Sequence, residues 1–246
     1  MGISRHPVKA TWGSLPPGPR SITRPNAGLE LRFAMPGFSA FEQQRSAPPL
    51  VHDFLELAAS RQPHKVALVY RGARVTYLEL EHQANALAHA LVAGGVARGD
   101  RVLIFGDNTI EMAVAIWATL KANAVICMVN PLTKADKLGY LLRECDPSAL
   151  ITQIQLVPIV QSLISRASRV RLTIVAGGID STLLPGGPHV VPWEAALAAH
   201  EHAVPPPRRC IDLDLAAIIH TSGTTGEPKG VMLTHLNMLS AAASVS

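Results

Sequence analysis

The chain has 246 residues, 48% hydrophobic and 16% charged, with a formal net charge of +4. This length holds one large or two medium domains, and the apolar share excludes wholesale disorder. The charge excess starts with Arg5, Lys9, Arg20 and Arg24, all ahead of the first acidic residue, Glu30. That is a basic tail without aromatic interleaving or a groove-reading motif, so nucleic acid is not an expected partner.

Residues 1–49 carry eight of the nineteen prolines and no sustained periodicity, and read as a largely irregular tail. Regular structure is expected from Leu50. A helix from about Leu50 to Ser60 closes at Gln62-Pro63, a strand follows at Val66–Val69, and Arg71-Gly72 turns the chain back toward Val75. Thr76 with Glu79 three residues on has the form of a capping box. Behind it Leu80, Ala84, Leu87 and Leu91 keep to one face of a helix that Gly94-Gly95 ends. Arg101–Phe105 is the next strand. Asp107 or Asn108 is expected to cap a helix over Ile110–Lys121, apolar nearly all round and therefore buried. Ala124–Val129 is a strand stopped by Asn130-Pro131, and Thr133 with Asp136 repeats the capping pattern for a helix ending near Cys145. Strand Ala149–Thr152, helix Pro158–Ser165 and strand Leu172–Val175 continue the alternation. Gly177 to His189 reads as a loop, Trp193–Ala199 as a short helix, and Val204 to Arg209 as a stiff connector.

Short apolar strands alternating with helices are the signature of a mostly parallel, doubly wound α/β sheet flanked by helices. Cys127, Cys145 and Cys210 are too scattered for a C-x-x-C site and suit free buried thiols in a reducing compartment, the cytoplasm by default. The most apolar region, Val102 to Val129, is interrupted by Asp107, Glu111 and Lys121, so no transmembrane segment is expected. His200-x-His202 lacks a supporting Cys or carboxylate cluster beyond Glu201 and reads as a solvated pair.

Chemistry concentrates after the short apolar run Leu215–Ile219, which reads as a buried strand. There the chain runs Thr221-Ser222-Gly223-Thr224-Thr225-Gly226-Glu227-Pro228-Lys229-Gly230. Glycines let a backbone approach a ligand closely, and successive N–H groups in such a turn form an anion-binding nest. The hydroxyls of Thr221, Ser222, Thr224 and Thr225 add neutral donors, and Lys229 adds a mobile point charge. The whole is a polyphosphate grip at the carboxyl end of a strand, where doubly wound folds bind phosphates. It is not the G-x-x-x-x-G-K-[ST] loop of common NTPases, because Glu227-Pro228 follows Gly226.

The stretch resembles the T-S-G-T-T-G-x-P-K-G signature of the adenylate-forming superfamily, matching every fixed position from Thr221 through Gly230. Thr234-His235 and Asn237 continue the usual sequel, while His220 stands where the family has Tyr. Upstream, Pro63 to Leu68, Thr76 to Leu80, Gly99 to Val102, Asn108 and Asn130-Pro131 fall in the family's order, with Asn123 replacing a common Gly. The chain is most similar to the N-terminal part of an acyl-CoA synthetase, residues 50–246 forming a partial AMP-binding domain that stops after the phosphate loop, without the C-terminal domain. The resemblance implies that a carboxylic acid, in the first place a fatty acid, is activated with Mg-ATP and passed to the thiol of CoA or a carrier protein. Thr221, Ser222, Gly223, Thr224, Thr225, Gly226 and Lys229 would bind the nucleotide, Lys229 as the catalytic cation and Thr221 also lending its hydroxyl to Mg2+. The alternative expectation is an inactive scaffold or binding protein descended from such an enzyme.

Overall fold

The computed structural model describes residues 48–164, 167, 169–178, 189–201, 204–221 and 228–244. The irregular tail expected for residues 1–49 lies outside them but for its last two positions. Helix α1 (Asp53–Arg61) leads into a hairpin of β1 (Val66–Tyr70) and β2 (Ala73–Thr76). The two-residue turn between them has Arg71 at φ 48° and Gly72 at φ 86°, the doubly positive pattern of the tight hairpin turn that matches strand twist. Thr76 then caps α2 (Tyr77–Ala93). Its hydroxyl accepts from the Glu79 N–H at 3.3 Å, and the Glu79 carboxylate accepts from the Thr76 N–H at 2.7 Å. The Thr76 N–H and the Thr76 hydroxyl, which donates to the same carboxylate oxygen at 2.8 Å, hold the Glu79 carboxyl below its usual range.

The remaining elements are β3 (Arg101–Phe105), α3 (Ile110–Lys121), β4 (Val125–Val129), α4 (Ala135–Cys145), β5 (Ala149–Gln153), α5 (Val157–Ile164), β6 (Leu172–Ala176), β7 (His189–Pro192), α6 (Trp193–Ala198), β8 (Leu215–Thr221), β9 (Lys229–Thr234) and α7 (His235–Ser244). Seven strands form one sheet in the order β7-β6-β5-β3-β4-β8-β9. All neighbours are parallel except the last pair. The α/β class with a mostly parallel, helix-flanked sheet is therefore as the alternation implies.

Alternating side chains build two cores from one sheet. Val102 and Ile104 of β3 face Leu80, Leu87 and Leu91 of α2, Val114 and Ala118 of α3, and Trp193 of α6. Leu103 and Phe105 face Leu138, Leu141 and Leu142 of α4 with Val160 and Leu163 of α5. Each fully buried leucine contributes about 1.5–3 kcal/mol relative to exposure, so the two layers together fix the sheet's position. No helix of the described residues is long and apolar enough to cross a membrane.

Four local expectations need correction. Helix α3 begins after Thr109 rather than with a side-chain cap from Asp107 or Asn108; the Asp107 N–H is held by Gln153 instead. Helix α4 follows Lys134, not Thr133, because Asn130 takes the Leu132 N–H in a turn and the Thr133 N–H returns to the Asn130 carbonyl. The loop expected over Gly177 to His189 gives way at His189 to β7, which pairs with β6. Finally, Leu215–Ile219 is not buried throughout: Ala216 and Ala217 are buried, but Ile219 is exposed with its neighbours Val231 and Met232.

Candidate functional site

The strand that carries the Thr/Ser/Gly run does not end the sheet. β8 pairs with β9 in antiparallel register, with Thr221 opposite Lys229, His220 opposite Gly230 and Ile219 opposite Val231. The last described pair of this hairpin is Thr221 with Lys229. The Thr221 hydroxyl lies 3.5 Å from the Lys229 carbonyl, and both residues are exposed. Cross-strand partners share a face and successive residues alternate. Thr221 and Lys229 therefore project together on one side, and His220 and Gly230 meet on the other. Ser222, Gly223, Thr224, Thr225 and Gly226 lie outside the described residues.

Sequence reasoning missed β9, although Val231-Met232-Leu233-Thr234 is a short run of strand-forming residues. It also missed why Gly230 is glycine. A Cβ there would lie 3.0 Å from Ile218 Cγ2 and 3.3 Å from His220 Nε2, so the imidazole lies across the bare backbone. The same ring meets the sulfur of Cys145, the last residue of α4, at 3.7 Å from Nε2. Burial lowers the His220 pKa below its ordinary value, so the ring is neutral near pH 7.

Two anchors hold the hairpin from below. The first residue of α7, His235, is fully buried, and its Nδ1 accepts from the Val51 N–H at 3.2 Å, fastening the exit of β9 to the approach of α1. Its ring stands edge-on to His52 at 6.0 Å. Burial pushes the His52 imidazole down to about 3, and lowers His235 as well. The second anchor is Asn123, between α3 and β4. Its Oδ1 accepts from the N–H groups of Arg209 and Cys210 at 2.7 and 3.1 Å, and its Nδ2 donates to the Pro207 carbonyl at 3.1 Å. This stiff connector is thereby clipped where it turns into β8. Of the pair His200-x-His202, His200 stacks on His89 at 5.6 Å, and His202 lies outside the described residues.

The crevice between β3 and β5, where the strand order reverses, is filled. Gln153 spans it, accepting from Asp107 N–H at 2.8 Å and donating to the Thr109 hydroxyl at 3.2 Å. The β8–β9 hairpin stands two strands away.

Residues 55–246 match the family described as AMP-binding enzyme. The chain belongs to that family. Among its AMP-binding relatives, 3-oxocholest-4-en-26-oate--CoA ligase of Rhodococcus rhodochrous is 36% identical over 188 residues, covering 75% of this chain and 33% of the ligase. Surfactin synthase subunit 2 of Bacillus subtilis is 31% identical over 189 residues, 77% of this chain and 5% of the synthase. Acetoacetyl-CoA synthetase from Streptomyces lividans superposes with a TM-score of 0.71 at 26% identity, over 79% of this chain and 31% of that one. The chain therefore spans a third or less of the length of each of these relatives. Within the AMP-binding family's pattern the Asn123 substitution acquires a physical meaning: its backbone has φ 61°. That left-handed geometry suits Gly, and Asn is the side chain that best tolerates it.

Proposed function

We propose that this chain forms the phosphate-gripping part of an AMP-forming acid–thiol ligase. A carboxylate, ionised at neutral pH without help, attacks the α-phosphorus of Mg-ATP; the α–β bridging bond breaks, giving an acyl adenylate and pyrophosphate. A thiol of CoA or a carrier protein then attacks the acyl carbon, losing its proton and releasing AMP. The substrate we assign in the first place is a fatty acid, and the compartment the cytoplasm.

Such a reaction needs no activated nucleophile from the protein. Its barrier falls by holding the triphosphate in line and neutralising charge on the leaving pyrophosphate. The observation that carries the reading is the pairing of Thr221 with Lys229 at the mouth of the hairpin. The two residues are opposite one another, and so share one face, at the carboxyl end of a sheet strand. Lys229 would take the outer phosphates, and the backbone and hydroxyls of Ser222 to Gly226 would line the grip. Magnesium arrives with the nucleotide, and the Thr221 hydroxyl is a hard oxygen donor of the kind it accepts.

Calorimetric titration of the 246-residue chain with Mg-ATP tests the grip. Saturable binding is expected. One ammonium–phosphate contact near a surface is worth up to about 4 kcal/mol before solvent screening, so Lys229→Ala should weaken binding at least several-fold. Equal affinity in both proteins would overturn the assignment.

A further inference from the structure

Parallel sheets are ordinarily covered on both faces, yet one row of this sheet is bare. Met128 of β4 stands opposite Ile219 of β8, and Ile219 opposite Val231 of β9. Partners across strands share a face, so the three side chains form one lateral stripe. It starts at Ile104 of β3, opposite Met128. Exposure climbs along it from 1% at Ile104 to 36, 38 and 45% at Met128, Ile219 and Val231. Two residues back on the same face, Ile126 and Ala217 are buried in the core that α3 closes. The opening is therefore confined to the carboxyl end of the strands. Two residues further on, again on that face, comes the pair Thr221 and Lys229. An apolar row about 10 Å long, from two strand spacings, thus lies about 7 Å behind that pair.

We propose that the Met128–Ile219–Val231 row seats the aliphatic chain of an anionic amphiphile whose phosphate end is held by Lys229. On the ligase reading, on which the identity of the chain rests, it is the acyl chain of the acid. The outer phosphates then take the Thr221–Lys229 row, and the acyl group lies two residues back along the strands. The row suits such a ligand by composition and by charge. Two branched aliphatic side chains give it a stiff floor, and a methionine adapts to an irregular apolar partner. The cation stands at one end of the surface, so it fixes which way an amphiphile lies, head toward Lys229 and chain over the row. Met232, though exposed, takes no part, because it stands opposite Ile218 on the other face. The seat is a shelf rather than a closed tunnel, so chain length sets the gain. A fully buried methylene is worth about fourfold in affinity, and one laid on an open shelf about twofold.

The test is calorimetric titration of the 246-residue chain with inorganic phosphate, then with ethyl, butyl, hexyl and octyl phosphate, each below its aggregation range. Affinity should rise about twofold per methylene and level off once the chain outruns the row. Ile219→Thr/Val231→Thr keeps the β-branched shape that strands favour, and Met128→Gln keeps the side-chain length. Both should flatten the dependence on chain length, with thermal melts confirming that each variant is folded. Met232→Gln, on the opposite face, should leave it unchanged. Lys229→Ala should weaken every alkyl phosphate by the same factor without altering the increment per methylene. The proposal is overturned by an absence of chain-length dependence in the unaltered chain, by a dependence that survives both shelf variants, or by a Lys229→Ala protein that binds the whole series normally. Self-association seen by sedimentation and undone by Ile219→Thr/Val231→Thr also overturns it, since the row then belongs to a second copy. Mg-ATP binding without a chain-length increment removes the shelf and leaves the grip; an increment without Mg-ATP binding keeps the apolar seat and removes the ligase reading.

Discussion

Asn123 holds the route into the β8–β9 hairpin by two separable means, and substitution can tell them apart. The residue is 5% exposed, and its side chain serves two backbone N–H groups and two carbonyls, those of Lys121 and Pro207. Removing it leaves the Arg209 and Cys210 donors without their acceptor, at about 1–3 kcal/mol if no water enters. Its backbone sits at φ 61°, where an alanine costs a further ~1 kcal/mol or more that a glycine does not. Asn123→Gly, which restores the family's residue, should therefore cost about 2 kcal/mol, and Asn123→Ala about 3–4. Guanidinium denaturation followed by the fluorescence of Trp117 and Trp193 measures both. Equal losses would refute the backbone part of the reasoning. Losses below about 0.5 kcal/mol in both, the range of ordinary surface changes, would refute the role of the amide as a clip.

Three further outcomes follow from the buried groups. His52 and His235 are folded as neutral bases with lowered pKa values, so their contribution is complete above about pH 6.5 and is lost as the pH falls toward the folded values. Stability should drop by up to about 1.4 kcal/mol per pH unit for His52 between roughly 6.5 and 3, and His52→Gln should flatten that limb in urea midpoints measured against pH. The ammonium of Lys121 is fully buried, 2.8 Å from Glu81 and 3.2 Å from Glu56. Lys121→Met should destabilise by about 3–5 kcal/mol by stranding a buried carboxylate, and adding Glu81→Gln should recover part of this in the same denaturation assay. Gly230→Ala should cost about 1 kcal/mol by pressing a methyl against His220 and Ile218, and a thermal melt of His220→Ala/Gly230→Ala should show less than the sum of the single losses.

What was legible in the sequence was what neighbours in sequence decide. Thr76 and Glu79 complete their capping box within one turn, and Leu80, Leu87 and Leu91 repeat at helical spacing, so that helix could be read directly. The expected caps at Asp107 and Thr133 went astray because distant or competing partners took the backbone groups first: Gln153 holds the Asp107 N–H, and the Asn130 turn consumes Thr133. Strand β9 is the sharper case. Its Lys, Gly and exposed Val and Met show no clean alternation, because the edge of the sheet lies open on that side and only pairing with β8 makes the segment a strand. The family signature could be recognised from its residue types alone, yet the geometry that sets the position of Lys229 is non-local. It depends on the register that sets Lys229 across from Thr221, and that register places His220 over Gly230. A larger residue at 230 would push against the same ring. The glycine after the lysine is therefore explained by the far strand, and a variant that shifts the pairing by one residue would turn Lys229 to the opposite face of the sheet.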